Sequence, residues 1–262
     1  MSDFVDVGAL NEEQKGALRR LILRLADSKR LMGIRYSDWI LGAPSLETGI
    51  ATSSMTQDEW GHARLLYAML KQLGDDPVAA EHDRAAEEYG NLGILDAPAE
   101  DWATLVSAMV IADGALSAAL RGFATGTFEP AANRVPKMLS EEEFHVSLGK
   151  AWYGRLAEAS DEAKALLRTA SEAHLPVALA WLGTEDSAGK ILAEAGVTTT
   201  AVDLVADFKA AVRDTLAAGG VDIDAAEPSA DWDDSRGRGS GCPDQDSIER
   251  ARGDRNRALL VE

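Results

Sequence analysis

Apolar residues recur at three- and four-residue intervals along most of this chain, the spacing of amphipathic helices. Leu18, Leu21, Ile22, Leu25 and Met32 follow it, so residues 11–41 read as a first helix. Gly42 and Pro44 break the pattern, and Ser45 can cap a second helix over residues 45–73, closed by Gly74 and Pro77. Residues 81–98 read as a connection with a short helix at 81–89. A third helix is predicted at 99–122, where ATLVSAMVIADGALSAALRG is nearly all apolar and is expected to be buried on most sides. A fourth covers 131–158, bent at Pro136, and others follow at 161–182, 185–195 and 198–218. No segment alternates convincingly with the period of a strand. The pattern therefore predicts an all-α domain over residues 1–220. Beyond it Asp, Gly, Arg and Ser dominate, and residues 221–262 are expected to form an acidic, irregular tail, docked on a partner or mobile.

Composition narrows the setting. Hydrophobic residues make up 46% of 262, enough for a sizeable core. The net charge of −18 makes nucleic acid a poor partner. An excess of Asp over Glu and of Arg over Lys also suits a high-salt cytoplasm, although an ordinary acidic protein has the same balance. Cys242 is the single cysteine, so no internal disulfide and no cysteine-held cluster is expected. The acidic start MSDFVDVGALNEEQ lacks a signal-peptide core, and no apolar stretch reads as a membrane span. The expectation is a cytoplasmic protein without a membrane partner.

Candidate chemistry lies in two Glu-x-x-His pairs, Glu59/His62 and Glu142/His145. Residues three apart share a helix face, so each pair projects a carboxylate and an imidazole side by side. Two such helices facing each other, with one carboxylate from each of two more, make a two-metal site in a bundle core. Carboxylate oxygens and imidazoles suit iron. On the third helix Asp113 is the one interior acid, set among VIADGAL, where a charge needs a metal or a hydrogen-bonding partner. The first helix offers Asp27 or Asp38, with Asp27 favoured for its mid-helix place. Glu47 is set aside, because about 18 Å of helix rise separates it from Glu59. The expected ligand set is Asp27, Glu59, His62, Asp113, Glu142 and His145, with Glu59, Asp113 and Glu142 also catalytic. Asp58 and Glu141 precede the two ligand glutamates and could each reach the histidine of the opposite pair. His82 and His174 read as surface or capping residues, and Trp60, Met109, Phe144 and Trp152 as packing. Gly61 suggests close approach of a helix or a ligand.

The segments APSLETGIATSSMTQDEWGHARLLYAMLKQLG, ADGAL and SEEEFH, in that order, resemble the phenylacetic acid catabolic oxygenase family, which includes the catalytic and structural subunits of phenylacetyl-CoA epoxidase. The resemblance runs from the first helix to the tail. It implies a ferritin-like four-helix bundle with added C-terminal helices and a di-iron centre. It also implies that one atom of O2 enters the aromatic ring of a CoA thioester, giving an epoxide. Electrons would come from NADPH through a separate flavin and iron–sulfur reductase. A homologous structural subunit or a homo-oligomer is the implied assembly. The retained Glu59, His62, Asp113, Glu142 and His145 resemble the catalytic subunit, as does ADWDDSRGRGSGCPD, whereas RYSDW, Glu47 and GHAR resemble the structural one. A polyanionic CoA ester would need a basic rim, for which Arg30, Arg35, Arg64 and Lys71 are candidates.

Overall fold

The computed structural model describes residues 4–183, 187–254 and 259. Among them the long helices are α1 (Glu12–Asp38), α2 (Leu46–Tyr67), α4 (Trp102–Ala124), α5 (Glu129–Ala157), α6 (Asp161–Gly183) and α8 (Ala201–Ala218). Shorter ones are α3 (Pro77–His82), α7 (Ser187–Glu194) and α9 (Gln245–Arg252). No strand occurs among the described residues, only an isolated bridge between Asp233 and Arg238.

Local chemistry sets the helix starts. Asn11 and Gln14 form a reciprocal capping box on α1. The side chains of Ser45, Asp101, Thr200 and Asp244 accept main-chain N–H groups at the starts of α2, α4, α8 and α9. The long second helix predicted to residue 73 is α-helical only to Tyr67 and continues as a 3-10 helix, Ala68–Leu73. The short helix expected at 81–89 lies earlier, at Pro77–His82, because Asp76 caps it and Pro77 occupies its first turn. The predicted helix at 185–195 is described from Ser187; residues 185 and 186 lie outside the described residues. α5 continues through Pro136.

The four-helix core is two pairs. α1 packs chiefly on α2, and α4 chiefly on α5 and α6, with α8 against α4. α4 is the central rod. Nearly every residue from Ala103 to Phe123 is buried. Contrary to the sequence expectation, α4 is long and apolar enough by length and composition to cross a membrane, yet it is almost wholly enclosed by its neighbours. Small residues let the rods approach. A Cβ at Gly33 would lie 2.5 Å from the Trp60 ring, and one at Gly114 would lie 3.1 Å from Val212 of α8. The space that Gly114 leaves beside Asp113 is thus taken by α8. Gly61, by contrast, has nothing within 4 Å of its would-be Cβ and lies on the exposed face of α2.

The tail docks on the bundle. Arg238 is almost fully buried and donates to the main-chain oxygen of Tyr89, to Asn91 Oδ1 and to Asp96. Ser229 N–H donates to Pro176 O, and Asp244 N–H to Asp96 O. The stretch expected to be irregular also holds α9, whose Ile248 and Ala251 are fully buried. Its helical spacing is too short to stand out among charged residues, and tertiary contacts complete it. Arg30 donates to Ala251 O, Arg35 to Ser247 Oγ, and Arg250 to Asp38 and Ser37. Arg30 and Arg35, candidates for a ligand-facing rim, are therefore committed to holding the C-terminal segment.

Candidate metal-type centre

Four of the expected residues meet between α2, α4 and α5. Glu59, Asp113, Glu142 and His145 are all buried and each brings one ligand-type atom within 4.8 Å of the others. His62 joins them, with Nδ1 3.0 Å from Glu142 Oε1. Each histidine is held on its far side by the acid that precedes the opposite pair's glutamate. His62 Nε2 lies 2.8 Å from Glu141 Oε2, and His145 Nε2 lies 3.4 Å from Asp58 Oδ2. This cross-bracing is the arrangement that metal-binding imidazoles use to fix orientation.

The fourth helix of the set departs from expectation. Asp27 does not reach the cluster. It is buried, but it accepts Tyr67 Oη–H at 2.6 Å, Gly90 N–H at 2.9 Å and the Arg84 guanidinium. Asp38, the other candidate, accepts Arg250 near the end of α1. The α1 residue that faces the cluster is Lys29, fully buried, with Nζ 3.0 Å from Glu59 Oε1, 2.8 Å from Asp113 Oδ1 and 2.6 Å from Glu142 Oε1. A separation of two helical residues means about 200° of rotation, so a helix that aims Lys29 inward aims Asp27 away. Tyr36, two turns further along the same face, donates its hydroxyl to Asp113 Oδ2 at 3.0 Å.

A sequence signal for Lys29 existed. Leu18, Ile22, Leu25, Met32 and Tyr36 form one buried stripe, and its missing step, four residues after Leu25 and three before Met32, is residue 29. A charge on a core stripe demands buried partners.

The electrostatics follow from this ring of groups. Burial pulls the Lys29 ammonium down, but Asp113, Glu142 and Glu59 outweigh it and hold it well above the usual lysine range. Burial raises Glu142, yet Lys29 and both histidines win and keep it well below the usual carboxylate range. Glu59 is pushed up to about 7 by burial, with Lys29 opposing and its two neighbouring acids adding to the rise. Burial lowers both imidazoles, but the acids facing their Nδ1 atoms raise His145 and His62 above the usual value. Burial and then Asp113 push the Tyr36 phenol well above its ordinary range, so it stays a donor. The Lys29 ammonium and both imidazoles thus face the same three buried carboxyl groups.

Glu59, Asp113, Glu142 and His145 are so placed that together they could hold a metal ion. The position where α1 would supply a fourth carboxylate carries a cation within hydrogen-bond distance of all three acids, and a divalent pair would have to displace it. The second oxygens of Glu59 and Glu142 and the Nδ1 atoms of both histidines are buried without a well-formed hydrogen bond.

Other residues singled out in the sequence lie elsewhere. Trp60 covers Gly33 and stacks near Arg30. Met109 is buried, and Trp152 packs edge-on against Trp102. Phe144, expected to pack, is half exposed beside His145. His82 Nδ1 lies 3.0 Å from Arg252 O. His174, read as surface or capping, is instead partly buried, with Nδ1 2.9 Å from Ser107 Oγ between α6 and α4.

Comparison with known proteins agrees with the residue pattern. A family model described as phenylacetic acid catabolic protein matches residues 1–241. The chain is also similar to one of the subunits of the 1,2-phenylacetyl-CoA epoxidase of Escherichia coli (strain K12), at 24% identity over 142 residues. That match covers 53% of this chain and 57% of the relative, little more than half of either. With an all-helical bundle, paired Glu-x-x-His helices and a match over nearly its whole length, the chain belongs to the phenylacetic acid catabolic protein family.

Proposed function

We propose that this chain is a structural, non-catalytic subunit of a phenylacetyl-CoA epoxidase-type complex in phenylacetate catabolism. One observation carries the reading. The Lys29 ammonium sits among Glu59, Asp113 and Glu142 at 2.6–3.0 Å, where a metal-dependent subunit needs an anionic ligand. The buried acids then serve to pin four helices rather than to hold an oxidising centre. Similarity to an epoxidase subunit supports a role within a multi-subunit assembly. On this reading O2 chemistry, iron and the reductase contact belong to a homologous partner chain.

A second reading has its own support. The cross-braced pairs Asp58–His145 and Glu141–His62 are retained, as an oxygenase subunit would require. It needs Lys29 to give way to two iron ions, with Glu59, Asp113 and Glu142 catalytic and phenylacetyl-CoA as substrate.

Turnover separates the two. The purified chain, loaded with ferrous iron and supplied with O2, phenylacetyl-CoA, NADPH and a flavin/iron–sulfur reductase, is expected to give no epoxide. Adding a metal-bearing homologue from the same family is expected to give a stable complex that does. Epoxide formed by this chain alone, at rates abolished by Glu59→Ala, contradicts the structural reading and supports the second.

A further inference from the structure

Trp152, expected only to pack, is the outer member of a run of three indoles across one end of the bundle. Its ring, on α5, meets that of Trp102 at the start of α4 edge-on, with centroids 5.2 Å apart. Trp102 in turn meets Trp39, just past the end of α1, at 5.7 Å. All three are partly buried against the core. The Trp39 N–H donates to Tyr36 O at 3.1 Å, and the two side chains lie one helical turn apart. Tyr36 is wholly buried and donates its hydroxyl to Asp113 Oδ2 at 3.0 Å. The run therefore leads from the surface to the edge of the buried carboxyl cluster.

The outer rings are poor places for a positive charge to rest. The Arg155 guanidinium lies over Trp152, 4.9 Å from the ring centroid, so an oxidised indole there faces a cation. Trp102 Nε1 is buried with no acceptor. An indole that loses one electron becomes a cation, and it is normally quenched by giving its N–H proton to a base. Trp102 has no such base, so once oxidised it stays a strong oxidant and draws an electron from its neighbour.

Tyr36 is the reverse case. Its phenolic hydrogen already points at a carboxylate oxygen. Loss of one electron from the ring, with the proton passing along that hydrogen bond to Asp113 Oδ2, leaves a neutral radical on the tyrosine. No cationic ring is then stranded in the core. The inner end of the run is thus the place where an electron vacancy comes to rest.

We propose that Trp152, Trp102 and Trp39 form an electron-transfer route that ends at Tyr36. A peroxyl-type radical at the surface takes one electron from Trp152 and becomes a peroxide anion. Trp102 refills Trp152, Trp39 refills Trp102, and Tyr36 supplies the last electron while its proton moves to Asp113. One oxidant is reduced by one electron, and one tyrosyl radical is formed. The route does not depend on whether the carboxyl cluster holds a metal. Its use as a sink for stray oxidising equivalents from a partner's O2 chemistry rests on the subunit reading above; the route itself does not.

Flash photolysis of the full chain with ruthenium tris(bipyridine) and a cobalt(III) quencher, followed by rapid freezing and electron paramagnetic resonance, tests the route. The natural chain is expected to show a tyrosyl radical that Tyr36→Phe abolishes. Trp102→Phe and Trp39→Phe each keep an aromatic ring but remove the oxidisable indole, and each should lose most of the tyrosyl signal. Two such variants, with folding checked by circular dichroism, keep the test open if one of them fails to fold. Trp232→Phe, in the docked tail and outside the run, should leave the yield unchanged. A tyrosyl signal that survives Tyr36→Phe, or an equal yield in both tryptophan variants, overturns the proposal. So does a radical that stays on tryptophan in the natural chain; the three rings are then packing alone. Epoxide formation by this chain alone would remove the sink role and leave these outcomes untouched, so the two readings fail separately.

Discussion

Replacing Lys29 with methionine removes the positive charge while nearly keeping the side chain's length and apolar stem. The ammonium is wholly buried and lies within 3.0 Å of three carboxyl oxygens, so the substitution leaves Glu59, Asp113 and Glu142 facing one another. Removing one partner of a buried ion pair costs about 3–5 kcal/mol. Three acids sharing one cation would push the loss higher, but Glu59 already titrates at about 7 and limits it by taking up a proton. A drop of about 3–5 kcal/mol at pH 7 corresponds to a fall in Tm of about 6–20 °C for a chain of this size. The assay is thermal unfolding by circular dichroism, with and without added Mn2+. The Lys29→Met protein should recover stability on adding the metal, since a cation then returns to the acids, whereas the natural chain should not respond. A loss below about 1 kcal/mol, with no response to metal, would refute the view that Lys29 is the counter-ion of this core.

Further outcomes follow from other contacts. Asp27→Ala strands the Arg84 guanidinium, the Tyr67 hydroxyl and the Gly90 N–H, and should cost about 3–5 kcal/mol in urea unfolding without altering metal content. Arg238→Ala should free the 229–244 segment, seen as faster tryptic cleavage within the tail while the helical signal of the bundle persists. Burial pushes the His174 imidazole down to about 4, so the unfolded chain binds its proton more readily. This residue's contribution is therefore present above about pH 6.5 and lost as the pH falls toward 4; His174→Gln should flatten the stability curve in that window.

The helices of the core were legible because their apolar stripes are long and their caps are explicit, as at Asn11, Ser45 and Asp101. The Glu-x-x-His pairs, Asp113 and the bracing pair Asp58 and Glu141 were legible because helical spacing fixes which side chains share a face. The α1 contribution was not. Asp27 and Lys29 both lie mid-helix, and the paired motifs, which suggest a metal, favour an acid there. The apolar stripe through Leu25 and Met32 decides for Lys29, and it then redirects the functional reading. The tail was not legible because its order comes from single long-range contacts, chiefly the buried Arg238, which leave no periodic trace.

The most direct test of the account is the metal content of the chain, grown with ample iron and purified under reducing, anaerobic conditions, beside its Lys29→Glu variant. The account predicts well under one transition-metal ion per natural chain, and a clear gain when position 29 supplies a fourth carboxylate. Close to two iron ions per natural chain, unchanged or reduced in Lys29→Glu, would contradict it.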